Sequence, residues 1–510
     1  MNSFIKTHLH IFSIAVVILL VHFYNNLFTT YGLFRDELYY IACSANLSFG
    51  YVDHPPLSAF ILRLNMLLFG DSPFAVRILP SFAHAGTVIA AGLIAKKMGG
   101  EKFAQLLSAL IIGFAPGFLG IMGIYSMNAF DIFLWSVAFF LLLQLIETKE
   151  SAYWIALGFI IGAGMMNKIS MGWFAAGLVV GVIATPHREW LRTRYPWIAA
   201  GIALIMFLPF ILWNMQHDFA HLEFANNAAR LKYASQNPVT FFSGMIMLYN
   251  PVTLPVWLTG FYVLLMRTQR EQRIIGIIVL SVLAILIINI NSKAEYFNPA
   301  AVAVIAAGAV QIEQWLSGRL TFLRNIYGIT VLATGVLMMP MAIDILSVER
   351  LSSYMETIGI APPNTEGHSM GALPQHFADR HGWKELTADV LIVYKQLDSA
   401  EQQHTMIYVQ NYGEAAAIDF YGRQKGLPPA MSGHNNYWIW GNDRLDERVD
   451  VLIAVGGEAG DYLDTFEDIE LVKYHNSRFA MPYESNLPIY VCRKPRMSIK
   501  QIWQTTKHFI

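Results

Sequence analysis

Long apolar runs recur along the first two thirds of this sequence, and they constrain its fold more than any other feature. Only 14% of the residues are charged and 55% are hydrophobic, whereas soluble globular proteins carry about 25% charged residues. A helix of about twenty apolar residues crosses a bilayer, so we expect about eleven transmembrane helices, some of them from shorter runs. The candidate spans are Ile11–Thr30, Phe74–Ala95, Ala104–Ile124, Ile132–Ile146, Tyr153–Met166, Met171–Ala184, Trp197–Trp213, Phe242–Met266, Ile274–Ile290, Phe297–Ile312 and Ile326–Ile345.

Basic residues cluster in every second loop between these runs. Positive charge collects on the cytoplasmic side of a membrane. The alternation therefore predicts a cytoplasmic N-terminus and, with an odd number of spans, a C-terminal part on the outer side. The clearest basic residues in these loops are Lys96, Lys97, Lys102, Arg188, Arg192, Arg194, Arg267, Arg270, Arg273, Arg319 and Arg324.

The composition changes after residue 346, where proline, glycine, charge and histidine increase and no further apolar run appears. We predict an all-α transmembrane domain over residues 1–346 and a soluble α/β domain over residues 347–510. The segments "HTMIYVQ", "VDVLIAVGG" and "LPIYVCRK" are typical of buried strands, and "YGEAAAIDFYGRQ" is typical of a helix. We interpret the stretch "GHNNYWIWG" as aromatic packing beneath a loop, with a sugar-binding rim as the alternative.

The outer loops hold the unusual polar motifs. The long first outer loop, residues 31–73, contains "FRDELYY" and "YVDHPPL", the second contains "YSMNAFD", the third "NKIS" and the fifth "NSKAEYFNP". Ionisable groups at membrane depth are costly and usually functional. Transfer of a sugar from a lipid-phosphate carrier fits them, because a carboxylate can accept the acceptor's proton and a cation can stabilise the leaving phosphate.

These motifs, taken in order with "DSPFAVRILP", resemble the GT-C superfamily of membrane glycosyltransferases. The match is to the family of protein O-mannosyltransferases and the aminoarabinose transferase of lipid A. It covers roughly the first 170 residues by motif and the whole chain by architecture. The resemblance implies a GT-C membrane domain, a polyprenyl-phosphate sugar donor and a bacterial inner membrane, with the C-terminal domain in the periplasm.

The resemblance also implies roles for acidic residues. Asp36 matches the first-loop aspartate taken as the catalytic base of that family, with Glu37 as its acidic neighbour, and Asp131 matches the second acidic position. Asp36 and Asp131 have a structural alternative, because aspartate is a favoured residue at helix N-termini. In that alternative Asp36 caps a helix over residues 37–42.

Basic and aromatic residues are the candidates for substrate binding. Arg77 and Lys168 match basic positions of the family, although both have the alternative of interfacial snorkelling. Asp53 and His54 match an acid–base–Pro-Pro motif, but histidine stands where the aminoarabinose transferase has the lysine that contacts phosphate. From their place in the fifth outer loop, Lys293 and Tyr296 are further candidates for donor phosphate or sugar. The full set is Asp53, His54, Arg77, Lys168, Lys293 and Tyr296.

A metal site is the weakest prediction. His217 and His221 are spaced i, i+4 on one helix face, and with Asp53 they resemble a metal site of the aminoarabinose transferase. The spacing is not diagnostic of metal binding, so no cofactor is assigned and a divalent metal stays open.

We therefore predict an inverting glycosyltransferase that moves a sugar from a polyprenyl phosphate to lipid A, lipopolysaccharide or another envelope glycan. Protein O-glycosylation is the alternative within the enzyme class. A polyprenyl-lipid transporter or flippase and a non-catalytic envelope sensor are the alternatives outside it. Transporters usually contain internal repeats, which this sequence lacks. The net charge of −1 gives no general attraction to nucleic acid.

Overall fold

The structure is a computed structural model that describes residues 3–232, 237–267, 270–289, 291–359 and 371–510. Up to residue 346 the described chain is helical. Its helices are α1 (Ser3–Thr7), α2 (Leu9–Phe28), α3 (Arg35–Ala45), α4 (Leu57–Phe69), α5 (Pro73–Lys97), α6 (Lys102–Phe114), α7 (Pro116–Ile121), α8 (Met127–Thr148), α9 (Ala152–Asn167), α10 (Met171–Ala184), α11 (Tyr195–Gln216), α12 (Ala220–Asn227), α13 (Pro238–Leu248), α14 (Leu254–Tyr262), α15 (Arg273–Ile288), α16 (Asn298–Trp315) and α17 (Phe322–Met338).

Each predicted span coincides with a helix or with two consecutive helices. Five of these helices are long and apolar enough to cross a membrane, or six if the bent unit formed by α13 and α14 counts as one span. The predicted number of about eleven spans is therefore not confirmed, although the chain is a multi-pass membrane protein. The bend of 106° between α13 and α14 follows from Asn250, which has a positive φ of 71°, and from Pro251, which lacks a backbone donor.

The C-terminal part combines helices with a small β-sheet, which agrees with the predicted α/β character. Its strands form one five-stranded sheet in the order β2-β1-β3-β5-β4. β1, β2 and β3 are parallel, and β5 runs antiparallel to β3 and β4. The elements are α18 (Val348–Ile358), α19 (Gln375–Ala378), α20 (Trp383–Gln396), α21 (Ser399–Gln403), β1 (Thr405–Val409), α22 (Tyr412–Gly422), β2 (Ala430–Met431), α23 (Asn436–Arg444), β3 (Val451–Val455), α24 (Ala459–Tyr462), β4 (Phe466–His475), β5 (Leu487–Pro495) and α25 (Ile499–Thr505).

The three predicted strands and the predicted helix are confirmed as β1, β3, β5 and α22. The sequence did not predict β4, because half of the residues of this edge strand are exposed and it reads "FEDIELVKYH" without a continuous apolar face. Alternate residues of β3 face opposite layers. Ile453 belongs to the apolar core that also contains the membrane helices, whereas Leu452 packs in a separate cluster with Trp503 of α25.

The C-terminal domain therefore shares a core with the membrane helices instead of standing apart from them. Helix α22 lies against α3, which carries the "FRDELYY" motif. Their shared packing places residues from both parts of the chain around the first outer loop.

Candidate active site

Helix α3 begins at Arg35, with Phe34 as its N-cap. Asp36 therefore lies in the first turn of the helix and does not cap it, so the alternative of a cap before residues 37–42 is wrong. The Glu37 carboxylate reaches back to the Phe34 backbone N–H at 2.9 Å. Asp131 is not a cap either, because α8 begins at Met127 and Ser126 caps it.

Asp36 is the most accessible of the three acidic residues assigned to catalysis, with 38% of its side chain exposed. Its Oδ1 accepts a hydrogen bond from the Tyr412 hydroxyl at 2.8 Å and lies 3.5 Å from Arg35 Nε. Its Oδ2 accepts no hydrogen bond from any residue within the described ranges. One carboxylate oxygen of Asp36 is thus held in place while the other remains available to a substrate.

Glu37 and Arg77 form a fully buried ion pair. Arg77 donates from Nε to Oε1 at 2.8 Å and from Nη2 to Oε2 at 2.7 Å. Glu37 Oε1 also accepts the Tyr125 backbone N–H at 2.8 Å. Arg77 has no exposed side-chain surface, so it does not snorkel. The pair links the start of α3 to α5 and to the segment before α8.

Asp53 and His54 lie beside α3 in a cluster of aromatic rings. Asp53 Oδ1 accepts the Tyr39 hydroxyl at 2.9 Å. His54 is fully buried, and its ring lies 4.7 Å from the ring of Tyr40 and 4.8 Å from that of Tyr51. Its Nδ1 pairs with the carbonyl oxygen of Pro55 at 2.8 Å, and its Nε2 lacks a partner in the described structure.

A small pocket lies where the N-terminal ends of α8 and α16 meet the C-terminal end of α9. Lys168 donates to Asn128 Oδ1 at 2.7 Å, and its amine lies 3.9 Å from Asp131 Oδ2 and 5.2 Å from the centre of the Tyr296 ring. Burial lowers the pKa of the Lys168 amine, and the nearby carboxylates of Asp131 and Glu295 oppose that shift. The pocket thus combines a cation, a carboxylate and an aromatic face.

The pocket and α3 meet at the start of α8. The Met127 backbone N–H donates to the Tyr40 hydroxyl at 3.3 Å, and Tyr40 lies one helical turn after Asp36 on α3. Met127 directly precedes Asn128, which lines the pocket. Asp131 accepts the Ser170 hydroxyl at 2.7 Å, which ties the "YSMNAFD" and "NKIS" motifs together.

The remaining candidates are Lys293, Tyr296, His217 and His221. Lys293 is half-buried and precedes the short helical turn Ala294–Phe297, which carries Tyr296. His221 Nδ1 contacts the Val52 carbonyl oxygen at 3.0 Å, while the His217 ring stacks on Trp213 at 4.1 Å. Burial lowers the pKa of His221. Among the described residues, no group of three His, Cys, Asp or Glu side chains is arranged to hold a metal ion.

The sequence did not point to three residues that hydrogen-bond to the candidate site residues, namely Asn128, Ser170 and Tyr412. Asn128 and Ser170 stand inside the quoted motifs, so their polar character was a signal that could have identified them. Tyr412 is 376 residues from Asp36 in the chain. Its segment indicated only a helix, and nothing in it pointed to the first outer loop.

Comparison with known proteins supports the family resemblance. The dolichyl-phosphate-mannose-protein mannosyltransferase family matches residues 53–213. The solved structure of ArnT from Cupriavidus metallidurans bound to undecaprenyl phosphate superposes with a TM-score of 0.59 and 12% identity, over 95% of this chain and 98% of that one. The chain shares the fold of that structure. The resemblance drawn from the outer-loop motifs is thereby confirmed.

Two relatives in sequence are also glycosyltransferases. A lipid A galacturonosyltransferase of Rhizobium johnstonii is 22% identical over 57% of this chain and 61% of its own length. An undecaprenyl phosphate-alpha-4-amino-4-deoxy-L-arabinose arabinosyl transferase of Pseudomonas savastanoi is 27% identical over 33% of this chain and 32% of its own length. This chain thus matches less than two thirds of either relative.

Proposed function

We propose that this chain is an inverting glycosyltransferase of the bacterial inner membrane. It moves a sugar from a polyprenyl-phosphate donor to an envelope acceptor such as lipid A, lipopolysaccharide or another glycan. The reaction takes place at the periplasmic face, where the chain's outer loops and its C-terminal domain lie. Residues 1–346 form the catalytic membrane domain and residues 347–510 the periplasmic domain.

One observation carries the proposal: Asp36 is an accessible carboxylate with one oxygen fixed and the other without a partner among the residues that the structure describes. A general base needs a free oxygen within reach of the proton that it accepts. Glu37, by contrast, is buried and bonded to Arg77, so in this proposal it positions α3 and takes no proton. The relatives named for transfer from undecaprenyl phosphate and for lipid A modification support the donor and acceptor classes.

In the proposed reaction, Asp36 Oδ2 accepts the proton of the acceptor hydroxyl while that oxygen forms a bond to the anomeric carbon. The bond from the anomeric carbon to the phosphate oxygen breaks, and the phosphate leaves with its electron pair. The Lys168 amine stabilises the charge that develops on this phosphate. Lys293, which is close in sequence to Tyr296, is the second cation proposed for this role. Asp131 holds Lys168 in the pocket and orients the substrates.

The remaining candidates support the substrates and do not react. Asp53 and His54 form the wall beside α3, and Tyr296 offers a ring face of the kind on which sugars and cations pack. Arg77 holds α3 in place through Glu37 and the Gly32 carbonyl oxygen, and in this proposal it does not contact the substrate because its side chain has no exposed surface.

The test uses purified protein in lipid with polyprenyl-phosphate sugars and a crude envelope extract. Mass spectrometry detects free polyprenyl phosphate and the modified acceptor. We expect release that depends on the acceptor and that falls about 10²- to 10⁴-fold in Asp36→Asn. The matched control is Asp71→Asn, an exposed aspartate of the same outer loop. Full activity of a folded Asp36→Asn protein would disprove the proposed base.

A further inference from the structure

The C-terminal domain contributes a side chain to the candidate active site. Tyr412 is the first residue of α22, and its hydroxyl donates to Asp36 Oδ1 at 2.8 Å. The side chain is buried, with 6% of the residue exposed. The hydroxyl is therefore aimed at the carboxylate from the interface between α22 and α3, and not from open solvent.

The N-terminus of α22 is held in place by a helix cap and by a contact with Arg35 of α3. Asn411 caps the helix, since its side chain accepts the backbone N–H groups of Gly413 at 2.8 Å and Glu414 at 3.0 Å. Arg35 lies over the Tyr412 ring, 5.5 Å from its centre. Gly413 makes this approach possible, because a Cβ at that position would stand 2.5 Å from Arg35 Cγ.

Arg35 also holds α3 to the C-terminal domain on the other side. Its Nη1 donates to the Tyr483 hydroxyl at 3.0 Å and lies 3.6 Å from Asp379 Oδ2. Its backbone N–H donates to the Asp379 carbonyl oxygen at 3.0 Å. The first turn of α3, which carries Asp36, is thus held by groups of the C-terminal domain through backbone and side chain.

A second tyrosine repeats the arrangement. The Tyr412 ring packs 4.6 Å from the ring of Tyr39, whose hydroxyl donates to Asp53 Oδ1. Each of these two carboxylates of the first outer loop therefore accepts one tyrosine hydroxyl, and the two tyrosine rings support each other. A rigid donor on one oxygen fixes the orientation of a carboxylate and leaves its second oxygen available.

We propose that Tyr412 is a positioning residue for Asp36, through which the C-terminal domain completes the active site. The inference rests on the proposed function, in which Asp36 accepts the acceptor's proton. The Tyr412 hydroxyl fixes the carboxylate plane so that Oδ2 faces the acceptor. Without the hydroxyl the carboxylate rotates among several orientations, and fewer enzyme–substrate complexes have the reactive geometry.

The test is Tyr412→Phe, which removes the hydroxyl and keeps the ring against Tyr39 and Arg35. We expect kcat to fall about ten- to hundredfold, the size of a lost hydrogen bond to a charged group. The KM for the polyprenyl-phosphate sugar stays unchanged, because Tyr412 does not line the Lys168 pocket. The acid limb of the pH–kcat profile moves to higher pH, because the carboxylate has lost a hydrogen-bond donor.

The matched control is Tyr394→Phe, which removes another half-buried hydroxyl of the C-terminal domain, bonded to the Gln402 carbonyl oxygen at 3.1 Å. This control should keep the wild-type kcat and pH profile. In the Asp36→Asn background, Tyr412→Phe should add little further loss, since the two residues act as a unit. An unchanged kcat and pH profile in Tyr412→Phe, or a loss fully additive with Asp36→Asn, would overturn the inference.

A second readout does not depend on turnover. The carboxylate stretching band of Asp36 is isolated as the infrared difference between the wild type and Asp36→Asn. We expect this band to shift in Tyr412→Phe and to stay in place in Tyr394→Phe, and an unshifted band in Tyr412→Phe would contradict the hydrogen bond. If the wild type releases no polyprenyl phosphate from any donor, the proposed function fails instead, whatever the band does.

Discussion

Arg77 and Glu37 face each other as a two-pronged ion pair with no exposed surface on either side chain, at donor–acceptor distances of 2.8 and 2.7 Å. Arg77 also donates from Nη2 to the Gly32 carbonyl oxygen at 3.2 Å. The pair joins α5 to the segment that leads into α3. The buried Glu37 therefore fixes the position of Asp36 although Glu37 itself is not accessible to a substrate.

Breaking this pair from one side should cost more than removing it altogether. Arg77→Met and Glu37→Gln each leave a buried polar group without its partner, so we expect each to lower the free energy of unfolding by about 3–5 kcal/mol. The double variant should lose less than the sum of the two. Thermal unfolding in lipid nanodiscs provides the measurement, with Glu150→Gln, an exposed carboxylate, as the control. Additive losses would show that the two side chains are not energetically coupled.

Lys168 should govern donor affinity. Lys168→Met removes the charge from the pocket, and we expect the Kd for polyprenyl phosphate to rise about tenfold or more, because a hydrogen bond to a charged group contributes about 1.5–3 kcal/mol. Titration of the protein with undecaprenyl phosphate in nanodiscs measures this change. Lys500→Met, at an exposed lysine of α25, controls for the loss of one positive charge. Equal affinity of both variants would remove Lys168 from the donor site.

The stability around α22 should depend on pH. Burial raises the pKa of Glu414 to about 7, and burial together with the nearby carboxyl of Glu414 also raises the pKa of Glu484. A carboxyl whose pKa is higher in the folded state stabilises the fold below its unfolded pKa of about 4.5, and this contribution disappears as pH rises through about 7. We expect a loss on the order of 3 kcal/mol between these limits.

Hydrogen exchange of the α22 amides in the full chain, followed from pH 4.5 to pH 8, measures this loss after correction for intrinsic exchange rates. Glu414→Gln should flatten the dependence, because the amide does not ionise. Glu447→Gln, at an exposed glutamate of the same domain, should leave it as in the wild type. A flat profile in the wild type would show that the buried pair ionises without cost.

Two glycines should set the spacing of α14 and α16. A Cβ on Gly308 would lie 1.9 Å from the Val256 carbonyl oxygen, and one on Gly260 would lie 2.0 Å from the Val304 carbonyl oxygen. Small residues allow membrane helices to approach this closely. We expect Gly308→Ala to destabilise the protein by about 1–3 kcal/mol, measured as a lower melting temperature. Gly201→Ala is the matched control in α11, where a Cβ meets no atom within 4 Å, and a similar effect of both variants would contradict this packing.

Much of the fold and part of the candidate site could be read from local patterns. Apolar runs placed the helices, and alternating or continuous apolar segments placed β1, β3 and β5, because burial of one face leaves a periodic record in the sequence. The motifs in the outer loops supplied Asp131 and Lys168, which the structure brings within 3.9 Å of each other. The edge strand β4 has no such apolar pattern, since only two of its ten residues are buried.

Local patterns could not distinguish the roles of two adjacent carboxylates. Asp36 and Glu37 look equivalent in "FRDELYY", yet one is accessible and the other is buried against Arg77. The difference arises because successive residues of a helix point about 100° apart, so that Glu37 faces α5 while Asp36 faces α22. Only the packing of α3 between these helices reveals which residue meets which neighbour.

The sequence by itself determined the membrane character of the first part, the α/β character of the second and the residues able to carry chemistry, because hydropathy and side-chain type are local properties. The tertiary structure alone decided that Tyr412 reaches Asp36 across 376 positions of the chain and that Arg77 forms a buried ion pair with Glu37. Such pairings depend on how distant helices pack, and a hydrogen bond between residues far apart in the chain leaves no periodic or compositional trace in either segment.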